Sequence, residues 1–151
     1  MSFYKELIQT LNTYHVRFLV FGGFAVNFYG FSRYTADLVL WIDPSSSNLE
    51  KLKSAMLTLG FEESDVLQDF LSQKTIMLRL AEDFEKVDML LKINLPKSFS
   101  ECFNQSVYSE GIFGAVHFIS YDDLIEEKIR SKRPKDLLDV DQLKTIRKEL
   151  K

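Results

Sequence analysis

The apolar residues of this chain recur with two periods, one typical of helices and one of strands. Residues 2–15 and 48–59 repeat apolar side chains every three or four positions, which predicts two amphipathic helices, the second ending at Gly60. Residues 38–42 instead form an unbroken apolar run, as in a strand that is buried on both faces. The pattern therefore predicts helices and strands mixed along one chain.

Glycine, serine and proline set the ends of the other predicted elements. Gly30 ends a short helix, Gly111 and Gly114 form the turn of a hairpin, Ser120 caps a helix and Pro134 starts the last one. In chain order the remaining elements are a strand over 16–23, a short helix over 24–31, strands over 75–80 and 86–93, a helix over 97–106, a hairpin over 106–120, and helices from 120 and from 134.

The two C-terminal helices carry expectations about which side chains face the core. Those predicted to point inward are Leu124, Ile125 and Ile129 in the first, and Leu137, Val140, Leu143 and Ile146 in the second. The order of elements predicts an α/β (α+β) fold, in which a mixed β-sheet has helices packed against it. We expect residues 1–151 to form a single domain.

Composition limits the class of protein. No window approaches the roughly 18 consecutive apolar residues of a membrane span, and the N-terminus lacks the pattern of a signal peptide, so we expect a cytoplasmic protein without membrane contact. The single cysteine, Cys102, excludes an internal disulfide and a cysteine-based zinc site, and we expect it to be a small buried or half-buried apolar residue.

Charge is distributed unevenly. The net charge is −3, but residues 128–151 hold nine of the 19 basic residues against four acids. A basic C-terminal segment is typical of a solvated helix surface, and it also suits a ligand that carries phosphate.

A glycine pair stands where the first predicted strand meets the second predicted helix. Gly22 and Gly23 lack side chains, so backbone N–H groups there are able to approach a phosphate. Glycine pairs are also ordinary turn residues, so this feature alone leaves both readings open.

Two acids interrupt apolar strands. Asp37 stands at the entrance of the run 38–42, fourteen residues after Gly23, and Asp88 lies inside the strand over 86–93. A buried carboxylate without a partner loses several kcal/mol of hydration, so each acid needs compensation. A divalent cation bound through oxygen supplies it. A cross-strand salt bridge to Lys or Arg, or a position at a solvated strand end, is an equal alternative if the glycine turn is left aside.

Three segments together carry a resemblance to a known superfamily. They are "FLVFGGFAVNFYGFSRYTADLVLWID", "EKVDML" and "SYDDLIEEKIRSKRPKDLLDVDQL". In this order they resemble the nucleotidyltransferase fold of the polymerase-beta type, in particular small stand-alone prokaryotic members related to minimal nucleotidyltransferases and to abortive-infection and toxin-antitoxin proteins. The resemblance spans about residues 5–145 and implies a nucleotidyltransferase-type fold.

The resemblance also implies roles for individual residues. Gly22 and Gly23 match the glycine turn, Asp37 the first acid of an Asp-x-Asp pair, and Asp88 the third acid. In the family these acids hold Mg²⁺ (or Mn²⁺), and the third acid helps to activate the attacking hydroxyl. The resemblance thus implies Asp37 and Asp88 as metal ligands and catalytic residues, and Gly22 and Gly23 as nucleotide-binding.

Position 39 departs from the family pattern. The second acid is replaced by Val39, which supplies no oxygen to a metal. Asp43 shares its strand face but lies about 20 Å from Asp37 at roughly 3.3 Å per residue. Glu82, Asp83 and Glu85 lie in the turn before Asp88 and are further candidates for the missing acid.

Three more residues are candidates for nucleotide binding. Arg33 and Thr35 precede Asp37, and Lys128 lies on the predicted helix after Ser120. For each of them a solvated or structural role is an equal alternative.

Two functions of different class remain open. One is the transfer of a nucleotide from a nucleoside triphosphate to a hydroxyl of protein or RNA, weakened by Val39. The other is a catalytically impaired protein that binds a nucleotide or a partner, such as a small toxin or antitoxin.

Overall fold

The computed structural model describes residues 3–32, 37–62, 76–79, 86–111 and 113–150, without the side chains of Asp37 and of 76–79. Within these ranges the helices are α1 (Phe3–Thr13), α2 (Gly23–Phe28), α3 (Ser46–Thr58), α4 (Phe99–Asn104), α5 (Tyr121–Ser131) and α6 (Pro134–Glu149). The strands are β1 (Phe18–Phe21), β2 (Asp37–Ile42), β3 (Ile76–Arg79), β4 (Lys86–Leu90), β5 (Val107–Gly111) and β6 (Gly114–Phe118).

The described strands form one sheet in the order β3-β4-β2-β1-β6-β5. Strand β1 is antiparallel to β2 and parallel to β6, and β2 is parallel to β4. The predicted mixed sheet with packed helices is therefore confirmed.

Helices cover both faces of the sheet. On one face α1 and α3 pack on alternate strand residues such as Val20, Leu40 and Met89. On the other face α2 and α4–α6 pack on Leu19, Phe21 and Trp41. Strand β2 supplies residues to both cores, which confirms its prediction as a doubly covered strand.

Local sequence signals mark the ends of several helices and strands. Ser98 and Glu101 form a reciprocal capping box at the start of α4. Gly111 and Gly114 face each other across the β5–β6 turn, as predicted for the hairpin. Cys102 is fully buried in α4, which confirms its predicted burial.

The prediction that a residue faces the core was wrong at two positions. Ile129 is 44% exposed and Leu137 is 45% exposed. Polar residues take the inward positions instead, namely Lys128 in α5 and Asp136 and Asp139 in α6. These charges are buried because they satisfy one another across the helix pair, which a hydrophobic pattern cannot register.

Among the described helices, we find none that is both long and apolar enough to cross a membrane.

Candidate functional site

The glycine turn has a backbone shape that only glycine adopts easily. Gly22 joins β1 to α2 with φ 73° and ψ −147°. Its carbonyl accepts the first helical hydrogen bond, from Val26 N at 3.0 Å. Gly22 itself has no side chain with which to cap this end of α2.

Val39 lies directly against this turn. A Cβ atom added to Gly22 would stand 3.1 Å from Val39 Cγ2 and 3.3 Å from Val39 Cβ. The strand register pairs Val39 with Phe21 in β1 on one side and with Asp88 in β4 on the other. Val39 is partly buried and packs against the core formed with α2 and α4–α6.

Asp88 points to the same face of the sheet as Val39. Its strand neighbours Val87 and Met89 are fully buried on the opposite face. The Oδ1 atom of Asp88 is buried and has no hydrogen-bond partner among the described residues. The two residues paired across β2 and β4 are therefore a valine and a carboxylate with one unsatisfied oxygen.

Asp37 is the first residue of β2, and its backbone lies opposite Lys86 of β4. Strand β2 returns antiparallel to β1, so its first residues lie beside the glycine turn. The register separates the Cα atoms of Asp37 and Asp88 by about 8 Å, since they lie two residues and one strand apart. The predicted acids therefore belong to neighbouring strands of one sheet.

Of the other candidate residues of the strand region, the structure describes only Asp43. Arg33 and Thr35 lie outside the described residues, as do Glu82, Asp83 and Glu85. Asp43 lies at the far end of β2, where it pairs with Arg17 at 3.2 Å.

Lys128 is enclosed between two carboxylates. Its Nζ donates to Asp136 Oδ1 at 3.2 Å and to Asp139 Oδ2 at 3.0 Å, and the residue is 3% exposed. Ser131 and Arg133 also donate to Asp136. Burial by itself would raise the pKa of Asp136, but these hydrogen bonds and the Lys128 charge outweigh it and hold the pKa below its ordinary value. Nucleotide binding by Lys128 stays a prediction.

Lys86 is a residue that the sequence reasoning missed. It lies on the face of β4 that carries Asp88 and directly opposite Asp37. The signal was present in "EKVDML", because a residue two positions before Asp88 shares its strand face.

The donor set fits a divalent cation in part. The unsatisfied, buried Oδ1 of Asp88 is the oxygen ligand that Mg²⁺ prefers. No cluster of three or more His, Cys, Asp or Glu suited to a metal occurs among the described side chains, which do not include that of Asp37. Asp88 with Asp37 would thus supply two carboxylates, and Val39 none.

Comparisons with known proteins identify the fold. No protein-family model and no curated protein matches the sequence. The structure of the lincosamide antibiotic adenylyltransferase LnuA, bound to lincomycin, matches with a TM-score of 0.53 at 15% identity, over 94% of this chain and 96% of that one.

Two structures of a second protein also match. The solution structure of the antibiotic-resistance factor ANT(2'')-Ia gives a TM-score of 0.51 at 12% identity, over 91% of this chain and 78% of that one. The crystal structure of ANT(2'')-Ia in complex with adenylyl-2''-tobramycin gives 0.50 at 12% identity, over 91% and 83%. Identities this low establish a shared fold only. The chain therefore has the fold of the nucleotidyltransferase superfamily.

Proposed function

We propose that this chain transfers a nucleotide from a nucleoside triphosphate to a hydroxyl group, at a rate that Val39 reduces. Asp37 and Asp88 hold Mg²⁺ or Mn²⁺ in this proposal. Gly22 and Gly23 receive phosphate oxygens, and Arg33 and Thr35 are further candidates for phosphate contact.

The observation that carries the proposal is the environment of the Asp88 carboxylate. The Oδ1 atom of Asp88 is buried without a hydrogen-bond partner among the described residues, which is unfavourable by about 1–3 kcal/mol or more. This cost is compensated if the carboxylate binds a cation when substrate is present. Mg²⁺ would neutralise phosphate charge and align the triphosphate at these carboxylates.

The chemistry assigned to the chain is a phosphoryl substitution. The acceptor oxygen forms a bond to the α-phosphorus, the bond from that phosphorus to the bridging oxygen breaks, and pyrophosphate leaves. Asp88 takes the proton of the acceptor hydroxyl and passes it to water. The glycine turn binds the phosphates without steric interference, because neither Gly22 nor Gly23 has a side chain.

Val39 explains the expected loss of rate. Its methyl groups lie against Gly22 and offer no oxygen. The loss of one metal ligand costs several kcal/mol of transition-state stabilisation, at about 1.4 kcal/mol for each tenfold in rate.

The acceptor belongs to one of three classes. Protein and RNA hydroxyls are those that the sequence resemblance implies. The structural neighbours named above add small molecules, since LnuA is a lincosamide adenylyltransferase bound to lincomycin and ANT(2'')-Ia was solved with adenylylated tobramycin. We include all three classes as candidate acceptors.

A second candidate function is nucleotide or partner binding without catalysis. Val39 favours it, because an apolar side chain occupies the place of a metal ligand and packs on the turn. In this alternative the partner is a small protein, as in a toxin-antitoxin pair.

The test is a labelling assay with nucleoside triphosphates labelled at the α-phosphate. The protein, Asp37→Ala, Val39→Asp and the uncharged control Val39→Asn are incubated with Mg²⁺ or Mn²⁺ and with protein, RNA, lincomycin or tobramycin. We expect weak labelling by the unaltered protein, none by Asp37→Ala, and more by Val39→Asp than by Val39→Asn.

The outcomes separate the two functions. Nucleotide binding without labelling by the unaltered protein supports the binding function. Absence of nucleotide binding in every variant, measured by calorimetry, rejects the assignment of the site.

A further inference from the structure

Lys86 occupies a defined backbone position, opposite Asp37 and two residues before Asp88. The parallel register of β2 and β4 sets Lys86 opposite Asp37 and Asp88 opposite Val39. Lys86 and Asp88 alternate with the fully buried Val87, so both lie on the face of Val39. The site therefore combines two acids with one ammonium group on adjacent strands.

The backbone of Lys86 is held from the other side of the sheet. The Tyr4 hydroxyl of α1 donates to Lys86 O at 3.0 Å and accepts from Lys86 N at 3.0 Å. Tyr4 is 5% exposed and makes edge-to-face ring contacts with Phe24 and Phe113. One buried hydroxyl thus fixes both polar groups of the Lys86 backbone.

The net charge of the site suggests a role for the Lys86 ammonium group. Three carboxylates with two divalent cations, as in a two-metal phosphoryl-transfer site, carry a net charge of +1. Asp37 and Asp88 with one divalent cation and the Lys86 ammonium carry the same +1. Compared with the three-carboxylate site, Val39 takes the place of one negative carboxylate. With Lys86 present, one divalent cation is therefore enough to give the same net charge.

We infer that Lys86 supplies the second positive charge of this site, so that a nucleoside triphosphate binds with one divalent cation and the Lys86 ammonium instead of two divalent cations. The inference rests on the proposed nucleotide-binding function and adds the number of metals and the residue that replaces one of them. The ammonium acts on the triphosphate as a compact point charge.

The test counts metal ions and does not depend on catalysis. Mn²⁺ binding is measured by electron paramagnetic resonance in the presence of α,β-methylene-ATP, which does not react. The proteins are the unaltered chain, Lys86→Met, Lys86→Arg and Lys92→Met. Lys92 is exposed beyond the end of β4, so its replacement changes the net charge equally but outside the site.

We expect one Mn²⁺ for each nucleotide bound to the unaltered protein. Lys86→Met should weaken nucleotide binding by about tenfold or more, Lys86→Arg should retain it within about threefold, and Lys92→Met should leave it unchanged. Retention by arginine distinguishes a charge role from packing, and Lys86→Arg keeps the test valid if Lys86→Met does not fold.

Two results would overturn the inference alone. One is the binding of two Mn²⁺ per nucleotide by the unaltered protein, and the other is nucleotide affinity of Lys86→Met equal to that of Lys92→Met. Failure of the unaltered protein to bind the nucleotide at any Mn²⁺ concentration would instead reject the proposed function, and the inference with it.

Discussion

Val39 packs against the glycine turn, and its Cγ2 atom lies 3.1 Å from the position that a Cβ atom of Gly22 would occupy. Val39, which stands where the sequence resemblance implies a second acid, is therefore also a packing partner of the proposed phosphate-binding turn. The contact therefore joins the glycine turn, which matches the pattern that the sequence resembles, to the position that departs from it.

Gly22→Ala should destabilise the fold strongly. Alanine at φ 73° is strained, and its Cβ would also crowd Val39, so we expect a loss of about 3 kcal/mol in the free energy of unfolding. Urea denaturation followed by circular dichroism measures this loss.

Gly60→Ala is the matched control for Gly22→Ala. Gly60 also has a positive φ, of 97°, but nothing lies within 4 Å of an added Cβ. We expect about 1 kcal/mol for backbone strain alone. Equal losses in the two variants would show that the contact with Val39 is unimportant.

Asp88→Asn should separate stability from function. Asp88 is partly buried, and its enclosed Oδ1 has no hydrogen-bond partner among the described residues, so removal of its charge should raise the free energy of unfolding by about 1 kcal/mol. The same variant should lose the stabilisation by Mg²⁺ and nucleotide that we expect in the unaltered protein. Thermal unfolding with and without both ligands measures the two effects.

Asp139→Asn serves as the control for Asp88→Asn. Its carboxylate is buried and accepts a hydrogen bond from Lys128 at 3.0 Å, so its replacement should lower stability. A loss of stability in Asp88→Asn of similar size would contradict the assignment of Asp88 as a cation ligand.

Asp136 should make stability depend on acid pH. Hydrogen bonds and the Lys128 charge hold the pKa of Asp136 below its ordinary value of 3.8, despite its burial. The unfolded chain therefore takes up this proton first as the pH falls. The stabilisation is fully present above the unfolded value and is lost as the pH falls through the folded pKa.

Asp136→Asn isolates this contribution. At pH 7 the variant should lose about 3 kcal/mol, because the buried Lys128 keeps only one of its two carboxylate partners. The difference from the unaltered protein should shrink below about pH 4. Urea denaturation between pH 3 and pH 7 measures it, and a difference independent of pH would contradict the assignment.

Cys102 should resist thiol reagents in the folded protein. Burial and the Asp123 carboxylate raise the pKa of the Cys102 thiol to about 12, so the reactive thiolate is scarce at pH 8. We expect its reaction with a disulfide reagent to follow global unfolding as urea is added. Ser100→Cys adds an exposed thiol on the same helix and should react at once, and equally fast reaction of both thiols would refute the prediction.

The elements with strong local signals could be predicted from the sequence. Periodicity located α1 and α3, an unbroken apolar run located β2, and two glycines located the β5–β6 turn. Asp37 and Asp88, which the resemblance implies as metal ligands of one site, lie on the neighbouring strands β2 and β4. These predictions succeeded because each depends on residues close together in sequence, or on a family order of motifs.

Predictions that needed distant partners failed or were not made. Ile129 and Leu137 fit an apolar stripe but are exposed, because Lys128 and two aspartates pair across the helix interface and take the inward positions. The place of Lys86 beside Asp37 also depends on a pairing between strands that are not consecutive in sequence.

The sequence by itself determined the chemical groups of this protein: a glycine pair, two acids within apolar strands, and a valine where a third oxygen ligand would stand. The tertiary structure decided which of them meet. It placed Val39 against Gly22, gave one oxygen of Asp88 no hydrogen-bond partner within the described ranges, brought Lys86 to the same face, and buried Lys128 between carboxylates. Local patterns fix helices and strands, whereas charges are neutralised and packing is completed only by residues that the fold brings together.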